Sequence, residues 1–223
     1  TEWSTIHILV NNAGLALGMA PFDECDLDNW DTMMDTNVKG LLYVTRAVLP
    51  LMTDISQRHI FNIGSTAAKE VYPNGNVYCA SKHAVDAISK SMRIDLLPKG
   101  IKVTAIHPGL VETEFSLVRF KWDEERAKNV YKGFTPLSGK DVADTIFYVS
   151  QLPGHVNINE LVIVPNGLRP LFFGILFEFE FGSPNAKIRP IVADNGSTPS
   201  SRPLGFSNFG TLLGSLGFSS YMI

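Results

Sequence analysis

Four short runs of Ile, Val and Leu most constrain what this sequence can fold into. The runs are Ile6–Val10, His59–Ile63, Ile101–Ile106 and Glu160–Val164. Their apolar residues are close to continuous and do not strictly alternate with polar ones, which is typical of parallel strands covered on both faces. We therefore predict that these runs are buried strands of one parallel sheet.

Helical patterns lie between the runs. Leu27–Met52 and Val77–Leu97 place apolar residues three and four positions apart, as one face of a helix requires. Gly139–Leu152 is preceded by Ser138, and Asp141 follows three residues later, which resembles a capping box. Strands that alternate with helices predict an α/β fold, here a Rossmann-like doubly wound parallel sheet whose first strand lies almost at residue 1.

Composition bounds the domain organisation. The chain has 223 residues, of which 45% are hydrophobic, and this is enough for one domain with a substantial core. We place that domain at residues 1–165. Pro184–Gly217 is dominated by Gly, Pro, Ser and Asn, so we predict an irregular, disordered tail for residues 166–223, in which Phe172–Phe181 is the one candidate strand.

Charge and cysteine content exclude several classes of partner. The formal net charge is −3 and the basic residues form no cluster of the kind that nucleic acids bind. The apolar run Leu168–Phe181 is too short and too charged to span a bilayer. Two cysteines, Cys25 and Cys79, allow one disulfide but no disulfide framework, which favours a reducing compartment. We expect a cytoplasmic protein with a small-molecule substrate, without a signal peptide and with no indicated metal site.

The strongest chemical signal is Tyr78-Cys-Ala-Ser-Lys82. Residues four apart share one face of a helix, so the lysine ammonium would lie near the phenol oxygen. A nearby positive charge favours phenolate, and we therefore predict a lowered pKa for Tyr78 and a role in proton transfer. Taken alone the pentapeptide is weak, because a half-buried core tyrosine and a solvated lysine give the same pattern.

Three predicted strand ends carry further polar or small residues. Ser65 follows the second strand, Asn11-Asn-Ala-Gly14 follows the first, and Pro108-Gly-Leu-Val-Glu-Thr113 follows the third. Functional residues of open parallel sheets collect at this edge. Ser65 would hydrogen-bond a reacting oxygen, although a serine that caps a turn is common. Asn37 is a poor residue inside a helix and lies near Gly40, which indicates a local distortion that frees a carbonyl for water.

Together these motifs resemble the short-chain dehydrogenase/reductase family, in order and spacing, from residue 6 to about residue 165. The resemblance implies a catalytic set in which Tyr78 is the general acid/base, Lys82 binds the nicotinamide ribose, Ser65 orients the substrate oxygen and Asn37 holds a water that relays protons. It also implies a cofactor-binding set that comprises Asn11, Asn12, Ala13, Gly14, Tyr78, Lys82, Pro108, Gly109, Val111 and Thr113.

A finer resemblance concerns the substrate. Thr113–Lys121, Leu15–Gly18 and His155–Asn159 are similar to NADP-dependent serine/3-hydroxy acid dehydrogenases. This implies hydride transfer between NADP and a small 3-hydroxy acid such as serine or L-allo-threonine, in a homo-oligomer. Arg119 would bind the substrate carboxylate through its planar fork, with a surface salt bridge as an equal alternative.

The chain also departs from the family. It contains no glycine-rich Thr-Gly-x-x-x-Gly-x-Gly turn to bind the pyrophosphate, and no residue that selects NADP over NAD can be assigned. We expect a sheet truncated at the N-terminus, with apolar side chains left facing water. Two alternatives stay open: a catalytically incompetent fragment that pairs with full-length subunits, and a nucleotide-sugar epimerase, for whose substrate domain the segment after Gly109 leaves little room.

Overall fold

A four-stranded parallel sheet is the centre of the computed structural model, which describes residues 5–52 and 57–167 and the backbone of 176–179 and 188–191. The strands are β1 (Ile8–Asn11), β2 (Arg58–Ile63), β3 (Ile101–Pro108) and β6 (Glu160–Ile163), in the order β1-β2-β3-β6. All three pairings are parallel. The predicted fold class and the four predicted strands are confirmed, with boundaries shifted by one or two residues.

The helices pack on both faces of this sheet. The stretch predicted as one helix, Leu27–Met52, consists of α1 (Leu27–Met34), a π-helical turn (Asp35–Gly40), α2 (Leu41–Val48) and a 3-10 turn (Leu49–Leu51). The other predicted helices are α3 (Asn76–Leu96) and α6 (Gly139–Ser150).

The predicted capping box of α6 is confirmed. The Ser138 hydroxyl accepts from the Asp141 backbone N–H at 3.3 Å, and the Asp141 carboxylate accepts from the Ser138 backbone N–H at 2.7 Å. Two otherwise unsatisfied N–H groups at the start of the helix are thereby bonded.

Neighbouring residues of the central strands enter different cores. Ile60 and Val103 pack with Leu96 of α3, whereas Phe61 and Ile106 pack with Val149 of α6. Each of these five side chains is buried. The continuous apolar runs of the sequence are thus explained, because both faces of β2 and β3 are covered.

Short elements between β3 and α6 were not predicted from the sequence. The strands β4 (Val111–Glu112) and β5 (Leu137–Ser138) pair in parallel, and α4 (Phe115–Arg119) and α5 (Glu124–Asn129) lie between them in the chain. They are too short for a periodic apolar pattern to reveal them.

The chain divides into two units, Thr1–Arg169 and Pro170–Ile223. In the second unit the structure describes the backbone of an antiparallel pair, β7 (Leu176–Phe179) and β8 (Ile188–Ile191). β7 lies within the candidate strand Phe172–Phe181. β8 lies in the part of the tail predicted to be irregular and was not predicted. Asn166 and Gly167 form a turn, the rest of the predicted tail lies outside the described residues, and the division at residue 165 stays a prediction.

Strand β1 forms one edge of the described sheet. Ile8 and Val10 on this strand are 45% and 40% exposed, as expected for a sheet whose apolar edge faces water. Within the same described residues, Cys25 and Cys79 are both free thiols, so the one disulfide that the sequence allows is not formed. None of the helices in this part of the chain combines the length and hydrophobicity that a bilayer crossing requires.

A buried network of polar side chains connects β1, β2 and the helices that cover them. Asn11 Nδ2 donates to Thr45 Oγ1 at 2.9 Å and to Asn62 Oδ1 at 2.8 Å. Asn62 Nδ2 donates to Ser89 Oγ at 2.9 Å, and Ser89 donates to the Val85 carbonyl at 2.7 Å. Because buried polar groups are costly when unpaired, each member depends on the others.

The adjacent residues Asn11 and Asn12 provide a test of this network. Asn11→Ala leaves Asn62 Oδ1 without its buried donor and should lower the free energy of unfolding by about 1–3 kcal/mol. Asn12 is exposed, so Asn12→Ala should change it by less than about 0.5 kcal/mol. Urea denaturation of both variants measures the difference, and equal stabilities would contradict the network's role.

Candidate active site

The carboxyl ends of the parallel strands bring the sequence-predicted site residues to one edge of the sheet. Gly14 lies beyond β1, Ser65 beyond β2, and Pro108 and Gly109 at the end of β3. The Ser65 hydroxyl accepts from the Ala67 backbone N–H at 3.1 Å and begins a 3-10 turn over Thr66–Ala68. The turn-capping contact expected of an ordinary loop serine is therefore present, and it leaves the hydroxyl close to Tyr78.

Helix α3 supplies Tyr78 and Lys82, which are 8% and 6% exposed. Lys82 Nζ donates to the carbonyl of Ile63, the last residue of β2, at 3.0 Å. The same nitrogen lies 6.0 Å from the centroid of the Tyr78 ring. The helix is thereby bonded to the strand end from which Ser65 follows, and the Ser65 hydroxyl is close enough to the phenol to favour its ionised form and oppose the rise of its pKa.

The predicted direction of the Tyr78 pKa shift is wrong in this structure. Burial raises the pKa of the Tyr78 phenol to about 12, against the opposing effects of the Ser65 hydroxyl and the Arg119 guanidinium. The Lys82 ammonium is directed to the Ile63 carbonyl instead of the phenol. Loss of water around the phenolate therefore outweighs the attraction that the sequence spacing implies.

Burial also acts on the lysine. It lowers the pKa of Lys82 to about 8, since the charged ammonium loses hydration that its hydrogen bond to the Ile63 carbonyl does not replace. At neutral pH the phenol is thus fully protonated, and the ammonium is the group of the pair that titrates closest to neutrality.

Asn37 lies in the π-helical turn Asp35–Gly40 and is 2% exposed. The local distortion predicted at this residue is confirmed. The Asn37 amide accepts from the Leu15 N–H and donates to the Leu15 carbonyl, both at 2.8 Å, and also donates to Ser81 Oγ at 3.0 Å. Such π turns widen a helix and are frequent at functional sites. Asn37 therefore joins the loop after β1 to α3, and its relay through a water stays a prediction.

Gly14 lies between Asn37 and Lys82. A Cβ atom at this position would be 3.3 Å from Asn37 Oδ1 and 3.4 Å from Lys82 Nζ. A glycine lets the loop approach the lysine closely. Asn12 and Ala13 in the same loop are exposed, whereas the Asn11 side chain is engaged in the buried network. The cofactor-binding role of these residues stays a prediction.

The segment after β3 forms the other side of the candidate site. The Gly109 N–H donates to the Ile163 carbonyl at 2.7 Å, and Val111 pairs with Leu137 in β4 and β5. Thr113 is exposed, and its hydroxyl accepts from the Phe115 N–H at 3.2 Å. The backbone of this segment is fixed, while its outer side chains remain accessible.

Arg119 ends α4 and lies against the catalytic tyrosine candidate. Its Nε donates to the Gly18 carbonyl at 3.1 Å, and its Nη1 donates to the Tyr72 hydroxyl at 3.0 Å. The guanidinium carbon is 5.6 Å from the centroid of the Tyr78 ring. Tyr72, which the sequence reasoning missed, thus orients the guanidinium, and the surface salt bridge considered for Arg119 is not what the structure shows.

A cavity of about 230 Å³ lies beside this arginine. Its lining shares Arg119 with the site but includes neither Ser65 nor Tyr78. Trp30, Asn76 and Phe120 are among the other lining residues. The cavity is therefore a neighbour of the candidate reaction centre and does not contain it.

A further group of charged residues was also missed. Asp86, His107 and Glu160 each place one possible metal-ligand atom within 4.8 Å of the others. The Lys69 ammonium already lies 3.2 Å from Asp86 Oδ2 and 2.7 Å from Glu160 Oε2. Because this cation bonds both carboxylates, the group is an ion-pair network in the structure described.

The parallel sheet, with Ser65, Tyr78 and Lys82 at its carboxyl edge, is a Rossmann-like arrangement. A profile of the short chain dehydrogenase family matches residues 1–124, more than half of the chain, and the chain belongs to this family.

The chain is similar to two curated proteins and one solved structure. It is 52% identical over 165 residues to the NADP-dependent 3-hydroxy acid dehydrogenase YdfG of Escherichia coli K12, covering 74% of the chain and 66% of that protein. It is 47% identical over 161 residues to serine 3-dehydrogenase of Agrobacterium fabrum, covering 72% and 64%. A solved closed form of serine dehydrogenase complexed with NADP+ has 48% identity and a TM-score of 0.74, covering 79% and 71%. The chain spans slightly less than two thirds of the length of both curated relatives.

The lowered pKa of Lys82 predicts how stability depends on pH. An unfolded lysine keeps its proton up to about pH 10.5, whereas the folded one loses it near pH 8, so the unfolded state binds more protons between these values and stability rises with pH. From about pH 8 to about pH 10 the free energy of unfolding should rise by about 2 kcal/mol through this group. Above that range the raised pKa of Tyr78 acts in the opposite direction.

Chemical denaturation at several pH values, on the wild type and on Lys82→Met, measures this dependence. The variant keeps the apolar stem and lacks the titrating ammonium, so the difference between the two curves isolates Lys82. A difference that stays flat over the range would show that the ammonium is hydrated.

Proposed function

We propose that this chain carries the catalytic centre of an NADP-dependent oxidoreductase that interconverts a small 3-hydroxy acid, of the serine or L-allo-threonine type, and its 3-oxo form. The observation that carries the proposal is the convergence of Ser65, Tyr78 and Lys82 on one edge of a parallel sheet. The names of the 52% and 47% identical relatives support the cofactor and the substrate class.

The residues present fit the nicotinamide half of such a cofactor. Gly14 approaches Lys82 Nζ closely, exposed Asn12 and Ala13 follow β1, and Gly109 lies at the adjoining strand end. A lysine ammonium has three N–H donors, of which one bonds Ile63. We assign Lys82 to the ribose hydroxyls, and the exposed Thr113 to the carboxamide.

When bound, the cofactor supplies or accepts the hydride at the carbinol carbon. In the reductive direction Tyr78 donates its proton to the carbonyl oxygen, which becomes the hydroxyl of the product. A phenol with a pKa of about 12 is protonated at neutral pH and is ready for this step. Ser65 hydrogen-bonds the same oxygen and holds it beside the phenol.

Lys82 restores the phenol after each proton transfer. With a pKa of about 8, its ammonium titrates close to neutrality and can pass a proton towards Tyr78. The charged ammonium stabilises the phenolate that develops as Tyr78 gives up its proton in the reductive direction, and the same phenolate accepts the hydroxyl proton in the oxidative direction. Asn37 orders a water for proton exchange. Each residue is assigned to one proton or one oxygen, so a single substitution at that residue tests its role separately.

Arg119 accounts for the preference for an acid. Two of its five N–H donors are engaged by Gly18 and Tyr72. The orientation of the guanidinium is therefore set before a ligand arrives, 5.6 Å from the Tyr78 ring. A carboxylate bound to the remaining donors would place the 3-position of a short acid near the phenol, and preorganisation of this kind reduces the cost of binding.

We place the reaction in the cytoplasm, which the two free cysteines favour. A homo-oligomer is expected from the family resemblance, and Tyr43 and Val44 on α2 are exposed apolar residues that a second subunit would cover. Two alternatives remain, a catalytically incompetent fragment that pairs with full-length subunits and a nucleotide-sugar epimerase. Absence of NADPH binding in the experiment below would favour them.

Cofactor binding and turnover test the proposal together. NADPH fluorescence titrated with the chain should saturate. With NADP+ as the hydride acceptor, the chain should oxidise L-allo-threonine or 3-hydroxypropionate. Tyr78→Phe should bind NADPH with little change and lower kcat at least about 100-fold, because the proton-transfer group is removed.

The control is Tyr148→Phe, since Tyr148 on α6 is 61% exposed, and it should keep full activity. If the chain does not bind NADPH at millimolar concentration, the enzyme hypothesis is wrong. Equal rates for wild type and Tyr78→Phe would remove Tyr78 from the mechanism.

Arg119→Met tests the substrate class. Loss of a charge-assisted contact worth about 1.5–3 kcal/mol should raise KM for 3-hydroxypropionate about 10-fold to 100-fold. Oxidation of 1,3-propanediol, which lacks the carboxylate, should change much less. Arg126→Met, at the neighbouring guanidinium that stacks on Phe120, is the matched control. A uniform loss with both substrates would mean that Arg119 acts on the fold and does not recognise the acid.

A further inference from the structure

Tyr78, Lys82 and Asp86 follow one another at intervals of four residues on α3. They therefore lie along one face of the helix. Asp86 is 8% exposed, and its Oδ2 accepts from Lys69 Nζ at 3.2 Å and from Lys90 Nζ at 2.8 Å. A carboxylate on the helix that carries the tyrosine is thus paired with two ammonium groups.

The two lysines reach Asp86 from different places. Lys90 is on the same helix, one turn further on, and its side chain is 54% exposed. Lys69 follows Ser65 by four residues and ends the 3-10 turn that Ser65 begins, and its side chain is only 16% exposed. It also bonds Glu160 at the start of β6. Of these two lysine contacts, the one from Lys69 connects the helix to the segment that carries Ser65.

His107 holds the other end of the same segment. A Cβ atom on Gly64 would lie 2.3 Å from His107 Nδ1, so the fully buried ring packs directly against the residue before Ser65. His107 Nε2 is 3.5 Å from Asp86 Oδ1. The segment from Gly64 to Lys69 is therefore fixed at both ends by groups that contact one carboxylate.

We propose that Lys69 and Asp86 are positioning residues that hold the Ser65 hydroxyl in register with the Tyr78 phenol. This proposal rests on the function proposed above. The ion pair joins the 3-10 turn that follows Ser65 to helix α3, which carries Tyr78. These two elements must present a hydroxyl and a phenol to the same substrate oxygen. Loss of Lys69 leaves Asp86 paired with Lys90 but removes the ion pair between the helix and the turn, so the segment reorganises and the serine moves.

A double-mutant cycle tests whether Lys69 acts through Ser65. Lys69→Met keeps the stem and removes the charge, and it should lower kcat about 10-fold while KM for NADPH stays within about 2-fold. In a Ser65→Ala background the same substitution should have no further effect on kcat, because the group that it positions is gone. Lys69→Arg should restore most of the wild-type rate.

Lys90→Met is the matched control, since it removes an ammonium from the same carboxylate without touching the serine segment. It should leave kcat within about 2-fold of the wild type. Equal losses in Lys69→Met and Lys90→Met, or an undiminished effect of Lys69→Met in the Ser65→Ala background, would overturn the proposal.

A second measurement does not depend on turnover. The Ala67 and Ala68 backbone N–H groups bond Ser65 Oγ and the Ser65 carbonyl, and amide hydrogen exchange reports how firmly this turn is held. Lys69→Met should speed exchange at these two amides about 10-fold, and Lys90→Met should not. If the exchange changes in an inactive protein, the positioning stands and the proposed function fails. Unchanged exchange in an active protein overturns the positioning alone.

Discussion

The burial of one lysine ammonium is the constraint on which the rest of the site depends. Lys82 lies under the carboxyl edge of the sheet, bonded to the last carbonyl of β2 and close to Gly14. A buried charge is tolerated only where polar groups surround it. The close approach of the loop after β1, the π turn that carries Asn37, and the serine segment beyond β2 are arranged around this ammonium.

The structure separates groups that react from groups that hold them in place. Tyr78 and Lys82 are buried, and burial moves both pKa values, upwards for the phenol and downwards for the ammonium. Both shifts favour the neutral form of the group. Charged groups that stay paired, such as Lys69 with Asp86, connect secondary-structure elements. Asp86 is eight residues after Tyr78 on the same helix. The groups proposed to react are thus shifted towards their neutral forms, and ion pairs outside this centre connect the elements that carry them.

Much of the fold could be predicted because it follows from local periodicity. Continuous apolar runs identified the four strands, the spacing of apolar residues identified the helices, and Ser138 with Asp141 identified a helix start. The spacing of four between Tyr78 and Lys82 correctly placed both side chains on one face of α3. These features depend on residues that are close in the chain.

The rest could not be predicted because it depends on residues that are far apart. The sign of the Tyr78 pKa shift is set by tertiary burial, and spacing alone gave the opposite sign. The Asn11 side chain bonds Asn62, 51 residues away, which no local pattern indicates. Lys69 meets Glu160 across 91 residues. The recurrence of Asp86 one turn beyond Lys82 was the one signal of this ion pair visible in the sequence.

Nuclear magnetic resonance of the lysine side chains tests the buried ammonium most directly. In protein labelled with carbon-13 at lysine Cε, the Lys82 resonance can be assigned by its loss in Lys82→Met and then followed as the pH is raised. The account predicts a midpoint at about pH 8. A midpoint near 10.5, the value of a hydrated lysine, would show that the ammonium is exposed to water and would contradict the arrangement of the site.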